Sequence, residues 1–261
     1  MNTIRQPAVA GLFYPAHARQ LTADIESYLS SAHSTGIRPK ALIVPHAGYV
    51  YSGPIAASAY QCLRSQHAQI KRVVLLGPAH RVAFSGLAAP ATTEFITPLG
   101  SIVIDQVAIA DISLLPQVQV SDLAHEQEHS LEVQLPFLQT LLDSFELVPL
   151  VVGDANRRDV AEVLERLWGE EDTLIVISSD LSHYLDYSAA QAMDRATSHA
   201  IENLQPELIK YEMACGRNPV NGLLELARKK HLHAHLLDLR NSGDTAGTKD
   251  RVVGYGAYAF D

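Results

Sequence analysis

Three short apolar runs in this chain are each followed closely by an ionisable side chain. The runs are residues 43–45 before His46, residues 73–77 before His80, and residues 175–179 before Asp180 and His183. Uninterrupted apolar runs of this length are typical of strands buried on both faces, as in parallel sheets covered by helices. If the three strands are parallel, their carboxyl ends open at one sheet edge, where open α/β sheets bind ligands. We therefore expect these side chains to share a crevice.

Helical and strand patterns alternate around these runs. Helices are predicted over residues 20–29, 55–63, 131–142 and 160–168, with further helix up to residue 226. Strands are predicted over residues 41–44, 73–76, 147–152, 174–177, 236–239 and 252–260, and residues 87–105 have the character of added strands or a hairpin. Crossovers of this length favour an α/β fold with a largely parallel central sheet flanked by helices.

Composition limits the classes of partner. The 261 residues are 47% hydrophobic and 19% charged, enough to bury a core, and we predict a single domain spanning residues 1–261. A net charge of -9 without a Lys/Arg-rich segment argues against nucleic acid and anionic membrane as partners. No apolar stretch approaches the ~20 residues of a membrane span, and residues 1–14 lack a leader pattern. We expect a cytoplasmic protein.

Two histidines lie in similar positions after neighbouring predicted strands. His46 stands in Pro45-His46-Ala47-Gly48-Tyr49, and His80 ends Gly77-Pro78-Ala79-His80. A single histidine at a strand end often only hydrogen-bonds its own loop. Two neutral imidazoles that converge from adjacent strand ends are typical of a transition-metal site.

A third ligand must come from elsewhere in the chain. Cys215 precedes Gly216, and Pro219 follows shortly after, so a turn could expose its sulfur to a cleft. Cys62 falls on the apolar side of a predicted helix and is interpreted as a core residue. A thiolate beside two imidazoles suits iron(II), copper or zinc better than magnesium or calcium.

Asp180 and His183 follow the third apolar run. Asp180 could orient His183, support the metal site, or simply cap a helix that begins at this junction. His183 is a candidate general acid or base, because the ordinary histidine pKa lies near physiological pH.

The segment His125-Glu126-Gln127-Glu128-His129 fits the H-E-x-x-H pattern of zinc peptidases. In those enzymes a helix presents both histidines on one face, and the glutamate is the base. Here the segment follows Ser121 and has the character of a loop that leads into a helix. A zinc peptidase that uses His125, Glu126 and His129 is therefore retained as a third hypothesis.

Five motifs in order resemble the Memo family over nearly the whole chain. They are Pro45-His46-Ala47-Gly48-Tyr49, Gly77-Pro78-Ala79-His80, Glu128-His129-Ser130, Ser178-Ser179-Asp180 with His183, and Cys215-Gly216-Arg217-Asn218-Pro219. The resemblance implies a fold like that of class III extradiol dioxygenases, with one metal ion in a cleft. It implies that His46, His80 and Cys215 are the metal ligands, that His183 matches the catalytic histidine of the dioxygenases, and that His129 is a further cleft histidine.

One position departs from the dioxygenase pattern. Those enzymes hold ferrous iron with two histidines and a carboxylate, whereas the matching third position here is Cys215. The resemblance therefore leaves ring cleavage open. For prokaryotic members it also implies a three-part set with an Ammecr-like protein and a radical-SAM protein, and for animal members copper or iron handling and signalling scaffolds.

Two further hypotheses stand beside the peptidase. The first is a metal-dependent oxidoreductase with one iron(II) or copper ion, in which His183, His129 and Asp180 serve catalysis. In this hypothesis Tyr49 and Arg217 position a small oxygen-containing substrate. The second is a metal-binding or protein-binding module that keeps the cleft without the chemistry and holds a small molecule or a peptide.

Overall fold

Strands and helices alternate along residues 3–261, the part of the chain that the computed structural model describes. The α-helices are α1 (Ala18–Ser31), α2 (Tyr49–Tyr60), α3 (Gln106–Ile112), α4 (Asp122–Glu126), α5 (Leu135–Leu141), α6 (Arg157–Arg166), α7 (Tyr187–Glu202) and α8 (Arg217–Lys230). The strands are β1 (Ile4–Arg5), β2 (Ala41–Val44), β3 (Arg72–Pro78), β4 (Leu87–Ala89), β5 (Glu94–Thr97), β6 (Gly100–Val103), β7 (Val118–Val120), β8 (Glu146–Val152), β9 (Thr173–Ser178), β10 (His183–Leu185), β11 (Ala234–Asn241) and β12 (Val252–Phe260).

A nine-stranded sheet forms the centre of the fold. Its order is β10-β12-β2-β9-β3-β8-β4-β7, and β11 also pairs with β12. The four strands β2, β9, β3 and β8 are parallel, whereas β12 joins β2 and β4 joins β8 in antiparallel fashion. The predicted α/β class is confirmed, with the longest parallel stretch in the middle of the sheet.

The three apolar runs form adjacent parallel strands. In register, Val44 lies opposite Ser178 on β9, and Leu76 of β3 lies opposite Ile177. Every residue of β2 and β9 is buried, as expected for strands covered on both faces. Because β2, β9 and β3 point the same way, the side chains that follow them meet at one sheet edge.

A second, smaller sheet comes from the segment predicted to add strands. Residues 87–105 contain β4, which joins the main sheet, and the antiparallel pair β5 and β6. The N-terminal strand β1 pairs in parallel with β5 and completes the three-stranded sheet. The predicted hairpin is therefore confirmed.

The helix after β2 begins earlier than predicted. The sequence pattern placed the helix over residues 55–63, but α2 starts at Tyr49 and contains Pro54 in its interior. Proline lacks the N–H that would bond the carbonyl of Val50 four residues before. Val50 is itself exposed and lies in the first turn of the helix.

A buried carboxylate fastens the N-terminal segment to the rest of the fold. Glu132 is fully buried and accepts hydrogen bonds from the N–H groups of Ala8 (2.8 Å) and Val9 (2.9 Å). It also accepts from the Tyr14 hydroxyl at 2.7 Å and pairs with Arg5 at 2.8 Å. A charged group that is removed from water needs such partners, and here they fix the path of the chain before α1.

His125 is also part of this anchoring region. Its buried ring lies 5.7 Å from the Phe95 ring, and its Nε2–H donates to the Ala88 carbonyl at 2.9 Å. Its own carbonyl accepts from Arg5 at 2.7 Å. Burial lowers the pKa of His125 to about 4, so the ring stays neutral at physiological pH.

Within residues 3–261, no helix combines the length and the apolar character that are needed to cross a bilayer.

Replacement of Glu132 by alanine leaves the buried Arg5 guanidinium without its anionic partner. We expect the free energy of unfolding to fall by about 3–5 kcal/mol, the usual cost of breaking a buried ion pair from one side. Urea denaturation followed by circular dichroism measures the change. The exposed Glu126→Ala is the matched control and should stay within about 0.5 kcal/mol of wild type. A loss of less than about 1 kcal/mol in Glu132→Ala would contradict this role.

The low pKa of His125 predicts acid sensitivity. The unfolded chain takes up a proton near pH 6.5 and the folded chain near pH 4, so stability is lost as pH falls through this window. Between pH 6.5 and 4, wild type should lose about 2–4 kcal/mol more than His125→Gln, which keeps a donor for Ala88 but does not titrate. Denaturation curves across this range test the prediction, and equal losses in both proteins would contradict it.

Candidate metal centre

Two imidazoles and a thiol converge at the carboxyl edge of the sheet. His46 follows β2, His80 follows β3, and Cys215 lies in the loop before α8. One ligand atom from each lies within 4.8 Å of the other two. The distance from His46 Nε2 to Cys215 Sγ is 3.4 Å, and the two imidazole centroids are 5.2 Å apart. The structure thus brings together the three residues that the sequence predicts as ligands.

His46 is held on both sides by the strand β9 and its continuation. Its backbone N–H donates to Asp180 Oδ1 at 2.8 Å, and its Nδ1 lies 2.9 Å from Ser178 Oγ. Burial, with the neighbouring imidazoles of His80 and His129, lowers its pKa well below the usual value. The ring is therefore neutral, which is the form that binds a metal.

His80 is positioned by the carboxylate of Glu128. The backbone N–H and Nδ1 of His80 donate to the two oxygens at 2.6 and 2.9 Å, and the N–H groups of His129 and Ser130 donate at 2.9 Å each. Burial acts to raise the pKa of Glu128, but these hydrogen bonds and His80 hold it at about 2. An ionised acceptor at Nδ1 leaves the Nε2 lone pair of His80 free.

Glu128, His80 and His129 form a second group of candidate ligands. It suits a metal less well, because the Glu128 oxygens already accept hydrogen bonds from three N–H groups and from His80 Nδ1. We interpret Glu128 as the residue that orients His80.

The Cys215 loop is tied to the same edge by Asp180. The backbone N–H of Asp180 donates to Sγ at 3.3 Å, and the N–H of Cys215 donates to the Asp180 carbonyl at 3.2 Å. A side chain at Gly216 would meet Cβ of Ser179 at 2.6 Å, so glycine permits this close approach. Burial and the Asp180 carboxylate raise the pKa of the Cys215 thiol, and a bound cation would lower it.

The chemistry of these donors fits a transition metal. Two imidazole nitrogens and a sulfur are borderline to soft ligands, which suit iron(II), copper and zinc and do not suit magnesium or calcium. The Nδ1 atoms of His46 and His80 face Ser178 and Glu128, so each ring turns its other nitrogen toward the shared centre.

Of the three roles predicted for Asp180, its contacts favour the one that supports the metal site. It does not orient His183, because the Nδ1–H of His183 donates to the Leu181 carbonyl at 2.8 Å. It does not cap a helix, since Asp186 occupies the N-cap of α7. Instead the buried Asp180 joins the His46 loop to the Cys215 loop, and burial raises the pKa of its carboxyl. These contacts are those of a residue that supports the candidate metal site.

Of the two histidines assigned to catalysis, His183 lines the cleft, and His129 packs beside the candidate ligands His46 and His80. His183 contributes to the cleft wall with His80 and Cys215. The His129 ring centroid lies 4.7 Å from that of His80, 4.7 Å from that of Phe13 and 5.6 Å from that of His46. Burial lowers the pKa of His129.

The two residues predicted to bind substrate, Tyr49 and Arg217, lie in different surroundings. Tyr49 is buried as the first residue of α2, and its hydroxyl donates to the Val133 carbonyl at 2.7 Å. The prediction for Tyr49 is wrong, because the helix start turns this ring into the core. Arg217 lines the cleft, with its guanidinium 5.8 Å from the Tyr211 ring centroid.

The cleft above the candidate ligands has a volume of about 740 Å³. Three aromatic side chains contribute to its wall: Phe84, Tyr184 and Tyr211. Tyr184 and Tyr211 are 64% and 81% exposed, so both stand at the mouth of the cleft. The size is in the range of small-molecule sites.

The H-E-x-x-H segment does not form a peptidase site. His125 lies at the end of the short helix α4 with Nε2 on Ala88, whereas His129 lies beyond that helix against His80. Among the described residues, His125 belongs to neither group of candidate metal ligands. A zinc peptidase needs both histidines on one helical face, so the structure contradicts this hypothesis.

Sequence reasoning missed several residues of the site. Glu128 is part of the Glu128-His129-Ser130 motif, but the sequence analysis gave it no role. A carboxylate directly before a histidine that is expected in the cleft was the signal that could have identified it. Tyr184 follows His183 directly with a left-handed backbone, φ 60°, which the sequence does not reveal. Tyr211 and Gln134 lack a local signal, because only tertiary packing brings them near the site.

Comparison with known proteins supports the resemblance seen in the motifs. Residues 5–259 match the family model described as Memo-like protein. A MEMO1 family protein of Ignicoccus hospitalis is 39% identical over 98% of each chain, and one of Aquifex aeolicus is 36% identical over 97% of each. The solved structure of an uncharacterized Escherichia coli K12 protein has a TM-score of 0.49 and 13% identity, covering 82% of this chain and 98% of that one. The chain therefore belongs to the Memo-like protein family.

Proposed function

We propose that the protein binds one transition metal ion, iron(II) or copper, through His46, His80 and Cys215, and acts as a metal-dependent oxidoreductase. Zinc also fits these donors. The observation that carries the proposal is the convergence of the three ligand atoms within 4.8 Å at the carboxyl edge of the parallel strands. Ligands of open α/β sheets bind at this edge.

In this proposal the metal ion and His183 have different chemical roles. A bound iron or copper ion would supply one-electron and oxygen chemistry. His183 would hold or move a proton at Nε2, because its Nδ1–H is engaged by the Leu181 carbonyl and Nε2 is left as the basic atom. His183 shares the cleft with His80 and Cys215, so that atom can meet a ligand bound there.

The cleft wall favours a planar ligand that carries an oxygen-containing group. The exposed rings of Tyr184 and Tyr211 flank the opening, and such rings bind planar molecules by stacking. Arg217 adds a cation on the same wall, with Nη2 3.1 Å from Asn218 Oδ1. A guanidinium is a suitable donor for carboxylate or phenolate oxygen.

A second candidate is a binding module without turnover. Two exposed tyrosines at the mouth, Tyr184 and Tyr211, offer a surface for a peptide or partner protein. Under this alternative, the Ammecr-like and radical-SAM proteins associated with the family are the partners to test. The absence of ligand-dependent oxygen uptake, together with retained metal, would favour it.

Metal content tests the assigned ligands. The protein is purified without air and chelator, and iron, copper and zinc are measured by elemental analysis in wild type and in His46→Ala, His80→Ala and Cys215→Ala. We expect stoichiometric metal in wild type and background levels in all three variants, because each removes one of the converging ligand atoms.

Two variants serve as controls for that experiment. His67→Ala removes an exposed imidazole that pairs with Asp143, and His125→Ala removes the former peptidase histidine. Both should keep the metal of wild type. Loss of metal in His125→Ala with retention in His46→Ala would contradict the proposed ligand set.

Loss of His183 separates proton transfer from metal binding. His183→Ala should keep its metal, because this side chain is not one of the proposed ligands. It should lower oxygen uptake with a phenolic substrate by about 10²-fold or more, the usual contribution of a positioned acid or base. An oxygen electrode measures uptake, with His67→Ala as control. Unchanged uptake in His183→Ala would overturn the proposed proton role.

A further inference from the structure

A chain of buried polar groups leads from the core to His46. Tyr60, Gln134 and Ser178 are fully buried, and His46 is 2% exposed. The Tyr60 hydroxyl donates to Gln134 Oε1 at 2.9 Å, Gln134 Nε2 donates to Ser178 Oγ at 2.8 Å, and His46 Nδ1 lies 2.9 Å from the same Oγ. None of these groups except His46 belongs to the proposed ligand set.

The orientation of the Gln134 amide follows from its surroundings. Its Nε2 lies 2.9 Å from the carbonyl oxygen of Pro45, and a carbonyl only accepts hydrogen bonds. The nitrogen of the amide must therefore face Pro45 and Ser178, and the oxygen must face the Tyr60 hydroxyl. Both amide hydrogens are used, whereas a flipped amide would set its oxygen against the Pro45 carbonyl oxygen and lose that hydrogen bond.

The hydrogen and both lone pairs of the Ser178 hydroxyl then each have a partner. Its single hydrogen donates to the carbonyl of Ser130 at 2.6 Å. A hydroxyl has one hydrogen and two lone pairs. Gln134 donates to one lone pair, so the contact with His46 must use the other. His46 Nδ1 is therefore the donor and carries the ring proton.

We propose that Ser178, with its hydroxyl direction set by Gln134 and the Ser130 carbonyl, holds His46 in the Nδ1–H tautomer. The Nε2 atom then presents its lone pair toward Cys215 and His80 before any metal binds. Ser178 and Gln134 are positioning residues, because they act through His46. The consequence for metal affinity rests on the proposed function, whereas the tautomer is a property of the metal-free protein.

The competing arrangement is the other tautomer of His46, with the ring proton at Nε2. Cys215 Sγ lies 3.4 Å from His46 Nε2 and is an alternative acceptor for a ring proton at Nε2. A proton there would occupy the lone pair that a metal needs. Which nitrogen carries the proton is set by the hydrogen bond at the other nitrogen, so loss of the Ser178 acceptor should shift the proton to Nε2.

Nitrogen NMR of ¹⁵N-histidine-labelled, metal-free protein tests the tautomer directly. The His46 signals are assigned from their loss in His46→Gln. In wild type, Nδ1 should show a protonated, pyrrole-type shift and Nε2 an unprotonated, pyridine-type shift. In Ser178→Ala the pattern should reverse. A His46 ring protonated at Nε2 in wild type would overturn the proposal. An unchanged pattern in Ser178→Ala would also overturn it.

Ser130→Ala is the matched control, since its hydroxyl is also buried but donates to the Pro78 carbonyl and not to His46. It should leave the His46 tautomer unchanged, whereas Ser178→Thr, which keeps a hydroxyl, should restore it. Anaerobic Fe²⁺ titration should show about 10–100-fold weaker binding in Ser178→Ala than in Ser130→Ala, typical of losing the partner of a ligating histidine. If wild type shows the expected tautomer but binds no Fe²⁺, copper or zinc, the proposed function fails while the role of Ser178 stands.

Discussion

The parallel pairing of β2, β9 and β3 is the constraint on which the rest of the structure depends. These strands are buried on both faces and hydrogen-bonded in one direction, so the chain must leave all three at the same edge. His46, Asp180 and His80 each follow one of those strands within two residues, so all three lie at this edge. The loop with Cys215 then closes onto this edge through its bonds with Asp180. A candidate metal centre is thus a consequence of strand direction and of which residues come next.

Buried carboxylates convert that edge into an ordered site. Glu128 orients His80, and Glu132 holds the N-terminal segment through Ala8, Val9 and Tyr14. The Asp180 carboxylate accepts from the backbone N–H of His46, while the backbone N–H of Asp180 donates to Cys215 Sγ. Each accepts hydrogen bonds from backbone N–H groups, which offsets the cost of removing a charge from water. Because the Glu128 oxygens already accept four hydrogen bonds, this carboxylate supports His80 and leaves the nitrogen and sulfur atoms as the candidate ligands.

The local pattern of the sequence was enough to predict the central strands and the convergence of His46 and His80. It was less reliable for residues whose role depends on where the side chain points. The apolar runs identified the central strands, and their endings identified His46 and His80. Tyr49 was misassigned because a one-letter pattern does not show that α2 begins there and turns the ring inward. For Asp180 the pattern left three roles open, and only the structure shows that its side chain accepts from the backbone of His46 while Nδ1 of His183 donates to the Leu181 carbonyl.

The sequence by itself determined the α/β class, the carboxyl-edge location of the site and the family, because apolar periodicity and ordered motifs are local properties of the chain. Only the tertiary structure decided which groups orient the ligands. Gln134 and Ser178 are 44 residues apart in sequence, and Glu128 and His80 are 48 apart, yet both pairs are in hydrogen-bond contact. Such contacts arise when distant segments are buried together and every enclosed donor and acceptor must find a partner, a requirement that no local sequence pattern records.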